Sequence, residues 1–116
     1  MVNAHADNTE IQMRKGMLEF CTLLAISEQA RYASEILERL RQAELIVVEG
    51  TLYPLLSRLR REELLKYEWV ESTSGPPRKY YKLTPQGRQT LKQLLGTWKQ
   101  LSTSISSFVS AYADNN

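Results

Sequence analysis

Apolar residues recur at helical spacing along most of the chain. Met13, Met17, Phe20, Cys21 and Leu24 share one face, which predicts a first helix over residues 11–28. Ala33, Ile36, Leu37 and Leu40 follow at i, i+3, i+4 and i+7. They predict a second helix, opened by Tyr32, lined outside by Glu35, Glu38, Arg39 and Arg41, and ending near Gln42. Leu52, Leu55, Leu56 and Leu59 repeat the spacing in a third. Thr51 is its expected N-cap, and Pro54 then falls in the first turn, where a missing N–H costs little. Between the second and third helices, "LIVV" (residues 45–48) is β-branched and too short for a helix, so a short strand is predicted there.

The period then changes to two. Leu65, Tyr67 and Trp69 alternate with Lys66, Glu68 and Val70, "ESTSGPP" is dense in turn formers, and "RKYYKL" alternates again through Tyr81 and Leu83. The pair predicts a hairpin with Arg78 and Lys79 flanking its tip. Neighbours on a strand point oppositely, so Tyr80 and Tyr81 cannot share a face, and Tyr81, beside Leu83, is expected in the core. From Thr84 a strong start, Thr as N-cap and Pro85 at the first helical position, opens a last helix. Leu91, Leu94, Trp98, Leu101, Ile105, Phe108 and Tyr112 run along it as a heptad seam. Spanning 85–112, it would be about 42 Å long, against a radius of gyration of about 13 Å for a compact chain of this size. Such a helix overhangs its own core, and a second copy of the chain is the simplest cover for the seam. The alternative is a helix folded back on itself, broken at Gly96 or in "STSISS".

The order helix, helix, short strand, helix, hairpin is that of a winged helix-turn-helix, in which the third helix enters the major groove of DNA and the hairpin wing touches backbone or minor groove. The expected fold class is mainly α with a small β-hairpin: a winged helix-turn-helix plus a long C-terminal dimerisation helix. The expected division is a flexible N-terminal tail (1–10), a DNA-binding domain (11–84) and the dimerisation helix (85–116).

Charge changes this picture more than composition does. With 116 residues, 42% hydrophobic and 24% charged, the chain suits one folded domain. No apolar run approaches the ~20 residues of a spanning helix, the first ten residues lack the basic and apolar regions of a secretory leader, and a cytoplasmic protein is expected. Residues 1–57 hold five Lys/Arg against eight Asp/Glu, a net of −3, whereas residues 58–116 hold ten against five, a net of +5. A basic excess confined to one part points to an anionic partner there, nucleic acid above all.

"YASEIL" (32–37), "GTLYPLLSRL" (50–59), "PPRKYYKLTPQG" (76–87) and a tryptophan on the last helix together resemble the PadR family of bacterial transcriptional regulators, over residues 13–101, and its compact subgroup with one C-terminal helix in particular. The resemblance implies a homodimeric DNA-binding repressor, often of a nearby transporter, efflux or stress gene, and sometimes released by a small ligand. One departure stands out. Glu63 occupies the position where the family commonly ends the third helix with glycine, so a distorted or longer turn is expected there.

Tyr32, Thr51, Tyr53, Ser57, Arg58 and Arg61 are the candidate DNA contacts at the helices, and Arg78 and Lys79 the candidate phosphate contacts on the wing. Leu91, Leu94, Trp98, Leu101, Ile105, Phe108 and Tyr112 are the candidate dimer interface. In compact members of the family the tryptophans matching Trp98 can flank a pocket between subunits, which implies a flat aromatic or cationic effector; packing within the seam is the other reading. Cys21, on an apolar face, reads as a small hydrophobe ahead of a redox sensor. His5 has no cysteine partner near it, and no catalytic or metal-binding constellation is present, so neither an enzyme nor a cofactor is expected. Double-stranded DNA carrying an inverted repeat, and a second copy of the chain, are the expected partners, with no membrane association. The alternative is a dimeric winged-helix module that binds proteins and not DNA.

Overall fold

Asn3 opens the first helix: its side-chain oxygen accepts the N–H groups of His5 at 3.0 Å and Ala6 at 3.2 Å, the pairing that helix N-termini require. In the computed structural model, which describes residues 3–45 and 47–116, helix α1 accordingly runs Ala4–Glu28. Residues 4–10, expected as part of a flexible tail, are helical.

Strand β1, Arg31–Tyr32, leads into α2, Ala33–Gln42, whose start is tied by the Tyr32 N–H donating to Glu35 Oε1 at 2.9 Å. Helix α3 spans Glu49–Arg61 and begins from Val48, not Thr51. The amide N–H groups of Thr51 and Leu52 already donate to the Val48 carbonyl, so Thr51 lies inside the first turn and Pro54 in the second. The bond that Pro54 cannot donate would have ended on the carbonyl of Gly50, an exposed residue, so the loss costs less there than in a buried helix. Strands β2 (Leu65–Ser72) and β3 (Gly75–Leu83) form the predicted hairpin, and α4 extends over Pro85–Asn115.

The sheet has the order β1-β3-β2, all antiparallel. Its short strand is thus Arg31–Tyr32, paired with Tyr81 and Tyr80. Leu45, Val47 and Val48 of the expected "LIVV" strand are irregular, and Ile46 lies outside the described residues. A β-branched run needs an open edge to pair with; β1 takes the free edge of β3, and Val47 instead drops into the core at 7% exposure. That core joins Leu23 and Ile26 of α1, Ile36 and Leu40 of α2, Leu52, Leu56 and Leu59 of α3, and Leu65, Tyr81 and Leu83 of the hairpin, all buried. Tyr81 is inside, as its alternation with Leu83 predicted.

Helices α2 and α3 end alike. The N–H of Leu45 donates to the Leu40 carbonyl and that of Glu44 to Arg41; the N–H of Leu64 donates to Leu59 and that of Glu63 to Arg60. This is the Schellman pattern, which needs a left-handed residue just past the helix. Glu44 and Glu63 supply it, with φ of 62° and 64°. The turn after α3 therefore has ordinary length and hydrogen bonding despite its glutamate, and what the missing glycine leaves behind is backbone strain. Helix α4 starts against that turn: Thr84 Oγ1 donates to the Glu63 carbonyl at 2.6 Å and accepts the Gly87 N–H at 2.9 Å, while the Thr84 N–H donates to the Leu64 carbonyl at 3.1 Å. A Cβ on Gly87 would overlap the Leu64 carbonyl oxygen.

Helix α4 is one unbroken helix of 31 residues; neither Gly96 nor "STSISS" interrupts it. At 1.5 Å per residue it is about 46 Å long. It gives the molecule a 58 Å long axis and a radius of gyration of 17.1 Å. No helix among the described residues is long and apolar enough to cross a membrane.

Candidate nucleic-acid interface

The leucine stripe of α3 fixes where its other residues point. With Leu52, Leu56 and Leu59 inward, Ser57 and Arg61 stand on the outer surface, and the two flanks face different neighbours. On the wing flank, Tyr53 is 48% exposed and the Arg60 guanidinium sits 4.8 Å from the Tyr67 ring centroid. On the α1 flank, Arg58 reaches Glu19 Oε1 at 2.6 Å and Glu62 Oε1 at 3.1 Å. Those two carboxylates, Glu19 first, raise the guanidinium pKa above its ordinary value. Thr51 lines the groove on the same flank with Lys15 and Leu18. Arg61 lines the same groove, and Arg58 is the one whose charge is neutralised there, by Glu19 of α1 and by Glu62.

The hairpin register divides the wing in the same way. Leu65 is opposite Leu83, Tyr67 opposite Tyr81 and Trp69 opposite Lys79, so these residues share one face, which runs from the core outward. Lys79 Nζ lies 4.7 Å from the Tyr67 centroid and 5.6 Å from that of Trp69; the two rings meet edge to face at 5.8 Å. Arg78, opposite Val70, takes the other face. There its guanidinium covers the Tyr32 ring at 4.0 Å, and Tyr32 packs on Tyr80 at 4.9 Å. The two wing cations therefore point to opposite sides, and only the Lys79 side continues into α3.

A clamp behind the sheet holds α2 and β1 on α1. Glu28 accepts from Arg39 Nε and Nη2 at 2.9 and 3.0 Å and from Arg31 Nη2 at 3.0 Å, and these hydrogen bonds, Arg39's first, lower its carboxyl pKa. Arg31 Nε also donates to the Ala25 carbonyl at 2.8 Å. Burial raises the pKa of the Cys21 thiol, against a smaller opposing effect of Arg39; the thiolate that redox sensing requires is disfavoured. Among the described residues no group of His, Cys, Asp and Glu could hold a metal ion.

The heptad seam of α4 splits in two. Leu91 is buried and Leu94 partly covered in the chain's own core, so Leu91 is withdrawn from the expected interface with a partner. Trp98, 43% exposed, touches Phe20 of α1 at 6.3 Å between centroids. Beyond it Leu101, Ile105, Phe108 and Tyr112 are exposed, the last two by 76% and 70%.

Sequence reasoning missed Arg60, Trp69 and Glu19. The hairpin register alone would have placed Trp69 beside Lys79; Glu19 carried no signal, because its contact is with a residue 39 positions away.

A family model described as Transcriptional regulator PadR-like family matches residues 22–93. Among solved structures, the PadR-like transcription factor of B. fragilis is 55% identical with a TM-score of 0.73, covering 87% of this chain and 98% of that one. A PadR-like transcriptional regulator from Bacillus cereus is 35% identical with a TM-score of 0.76, covering 84% and 96%. An uncharacterized protein of Lysinibacillus sphaericus is 29% identical over 98 residues, covering 82% of this chain and 90% of that protein.

Proposed function

This chain belongs to the PadR-like family of transcriptional regulators, and on that premise we propose that it is a homodimeric, cytoplasmic repressor that binds an inverted repeat near its own operon and is released by a small aromatic or cationic ligand. One observation carries the reading: α3 leaves Ser57, Arg60 and Arg61 exposed beside a wing bearing Lys79. Arg61 and Ser57, outermost on α3, read base edges in the major groove; an arginine there suits the paired acceptors of guanine. Tyr53 and Arg60 flank them, and the wing's Lys79 and Arg78, with Tyr32 and Thr51 at the helix entries, hold backbone phosphates. Paired through the exposed part of the α4 seam, two copies present two α3 helices, which suits half-sites about 10 bp or a multiple apart. Trp98 offers a half-open ring against Phe20 for a planar ligand to stack on.

The test is a mobility shift of the protein with duplex DNA from its own promoter region at two salt concentrations. A saturable, salt-dependent complex is expected. Persistence of that complex at unchanged affinity after joint replacement of Ser57, Arg61, Arg78 and Lys79 by alanine overturns the assignment. Ligand release is read from Trp98 fluorescence on titration with planar cationic dyes and phenolic acids: quenching that is lost in Trp98→Phe and that weakens the DNA complex is expected, and no response to any compound removes the effector from the proposal.

A further inference from the structure

Trp69 is 63% exposed near the outer end of the wing, yet it is not loose. Tyr67 meets it edge to face and Lys79 lies over both rings, while Arg60 of α3 covers Tyr67 from the other end. The four side chains form one row, Arg60, Tyr67, Lys79, Trp69, running from the recognition helix to the wing along a single sheet face. We propose that Trp69 is a DNA-contacting residue, its indole laid against the sugar edge of the strand beside the major groove that α3 enters, with Arg60 and Lys79 on the flanking phosphates. The inference rests on the DNA-binding reading and deepens it.

Three arguments commit the face to duplex DNA. First, its charge is complementary: both charged groups in the row are cations, and Glu68 is paired with Lys82 Nζ at 3.0 Å on the opposite face, which leaves Glu71, beyond Trp69 toward the tip of β2, as the one carboxylate of the hairpin on this side. Second, a nucleic-acid strand alternates apolar sugar with anionic phosphate, and a flat indole between two cations matches that alternation. The indole N–H adds a donor toward a minor-groove edge that in A·T pairs presents acceptors only. Third, the ring is already ordered by its neighbours, so little side-chain freedom is lost on contact. An aromatic this exposed otherwise has no reason to be held so firmly, since its own chain gains little buried area from it.

The experiment uses the full-length chain. In Trp98→Phe, Trp69 is the sole indole, and titration with a promoter duplex should quench and shift its emission saturably, in step with the mobility shift. In parallel, Trp69→Ala should lower affinity for that duplex about tenfold, the scale expected when the exposed part of an aromatic no longer becomes buried, with the salt slope unchanged. Lys79→Ala, by contrast, should reduce the salt slope by about one, and Trp69→Phe should recover most of the affinity. Unaltered melting of the Trp69 variants shows that the fold is intact. The inference is overturned if duplex binds while the emission stays constant, if Trp69→Ala binds as tightly as the wild type, or if that variant changes the sedimenting mass without DNA, which would make the face a contact between copies. Absence of any DNA complex with the wild type is a separate outcome and removes the DNA reading along with the inference.

Discussion

At the residue scale, one joint contains two backbone choices of opposite sign. Glu63 adopts φ of 64°, a left-handed conformation that costs an L-residue with a Cβ roughly 1–2 kcal/mol. Gly87, on the helix that packs against Glu63 and Leu64, is helical and has no such need for its own φ; it is small because the Leu64 carbonyl leaves no room for a Cβ. Glu63→Gly should therefore stabilise the protein by about 1 kcal/mol, after the greater freedom glycine gives the unfolded chain is set against the relieved strain. Gly87→Ala should do the reverse, since backbone on one side or the other must move. Thermal unfolding followed by circular dichroism checks both, and each change of 1 kcal/mol corresponds to about 4–8 °C in a domain of this size. A lower melting temperature for Glu63→Gly would mean that its carboxylate contributes more than its backbone costs.

At the element scale, α3 has three sides with different duties, and only two of them were legible in the sequence. The leucine stripe and the polar outer surface follow from the 3.6-residue period. The side toward α1 does not, because Arg58 is claimed by Glu19 across 39 positions, a pairing that no local pattern announces. The same division holds elsewhere. The hairpin, the Thr84–Pro85 helix start and the seam were legible because each is a repeating or local signal. Strand β1 was not, since two residues have no period and exist as a strand only because β3 offers an edge. The early start of α1 was hidden because residues 4–10 have no apolar face. For function, the consequence is that Arg58→Ala and Arg61→Ala should separate. Arg58→Ala removes two exposed ion pairs, worth less than about 1 kcal/mol each, and should lower thermal stability slightly while leaving promoter affinity within about threefold. Arg61→Ala should leave melting unchanged and weaken the promoter complex by about 1–3 kcal/mol. Equal loss of DNA affinity in both would show that Arg58 leaves Glu19 when DNA binds.

At the scale of the whole molecule, the winged domain and the outer half of α4 differ in what sustains them. The domain closes its own core, including Leu91. Past Trp98 the helix carries Leu101, Ile105, Phe108, Val109 and Tyr112, exposed by 45% to 76%, and an isolated helical end of that length is marginal in water. A contiguous apolar stripe of this kind is covered in a stable soluble molecule, and the two-fold pairing of α4 with its copy, proposed above, covers it with the residues already spaced for a seam. Ile105→Asp places a charge in the middle of that interface and should produce a monomer at tens of micromolar by sedimentation. Because the winged domain needs nothing from the outer half of α4, the variant should retain its cooperative melting transition while losing part of its helical ellipticity. Its affinity for a full inverted repeat should fall by about 10²–10⁴, since two linked half-site contacts become two independent ones, whereas binding to a single half-site should be almost unchanged. A dimer that survives Ile105→Asp, or a wild type that sediments as a monomer at the same concentration, would mean that the exposed seam is covered in some other way and that the operator need not be symmetric.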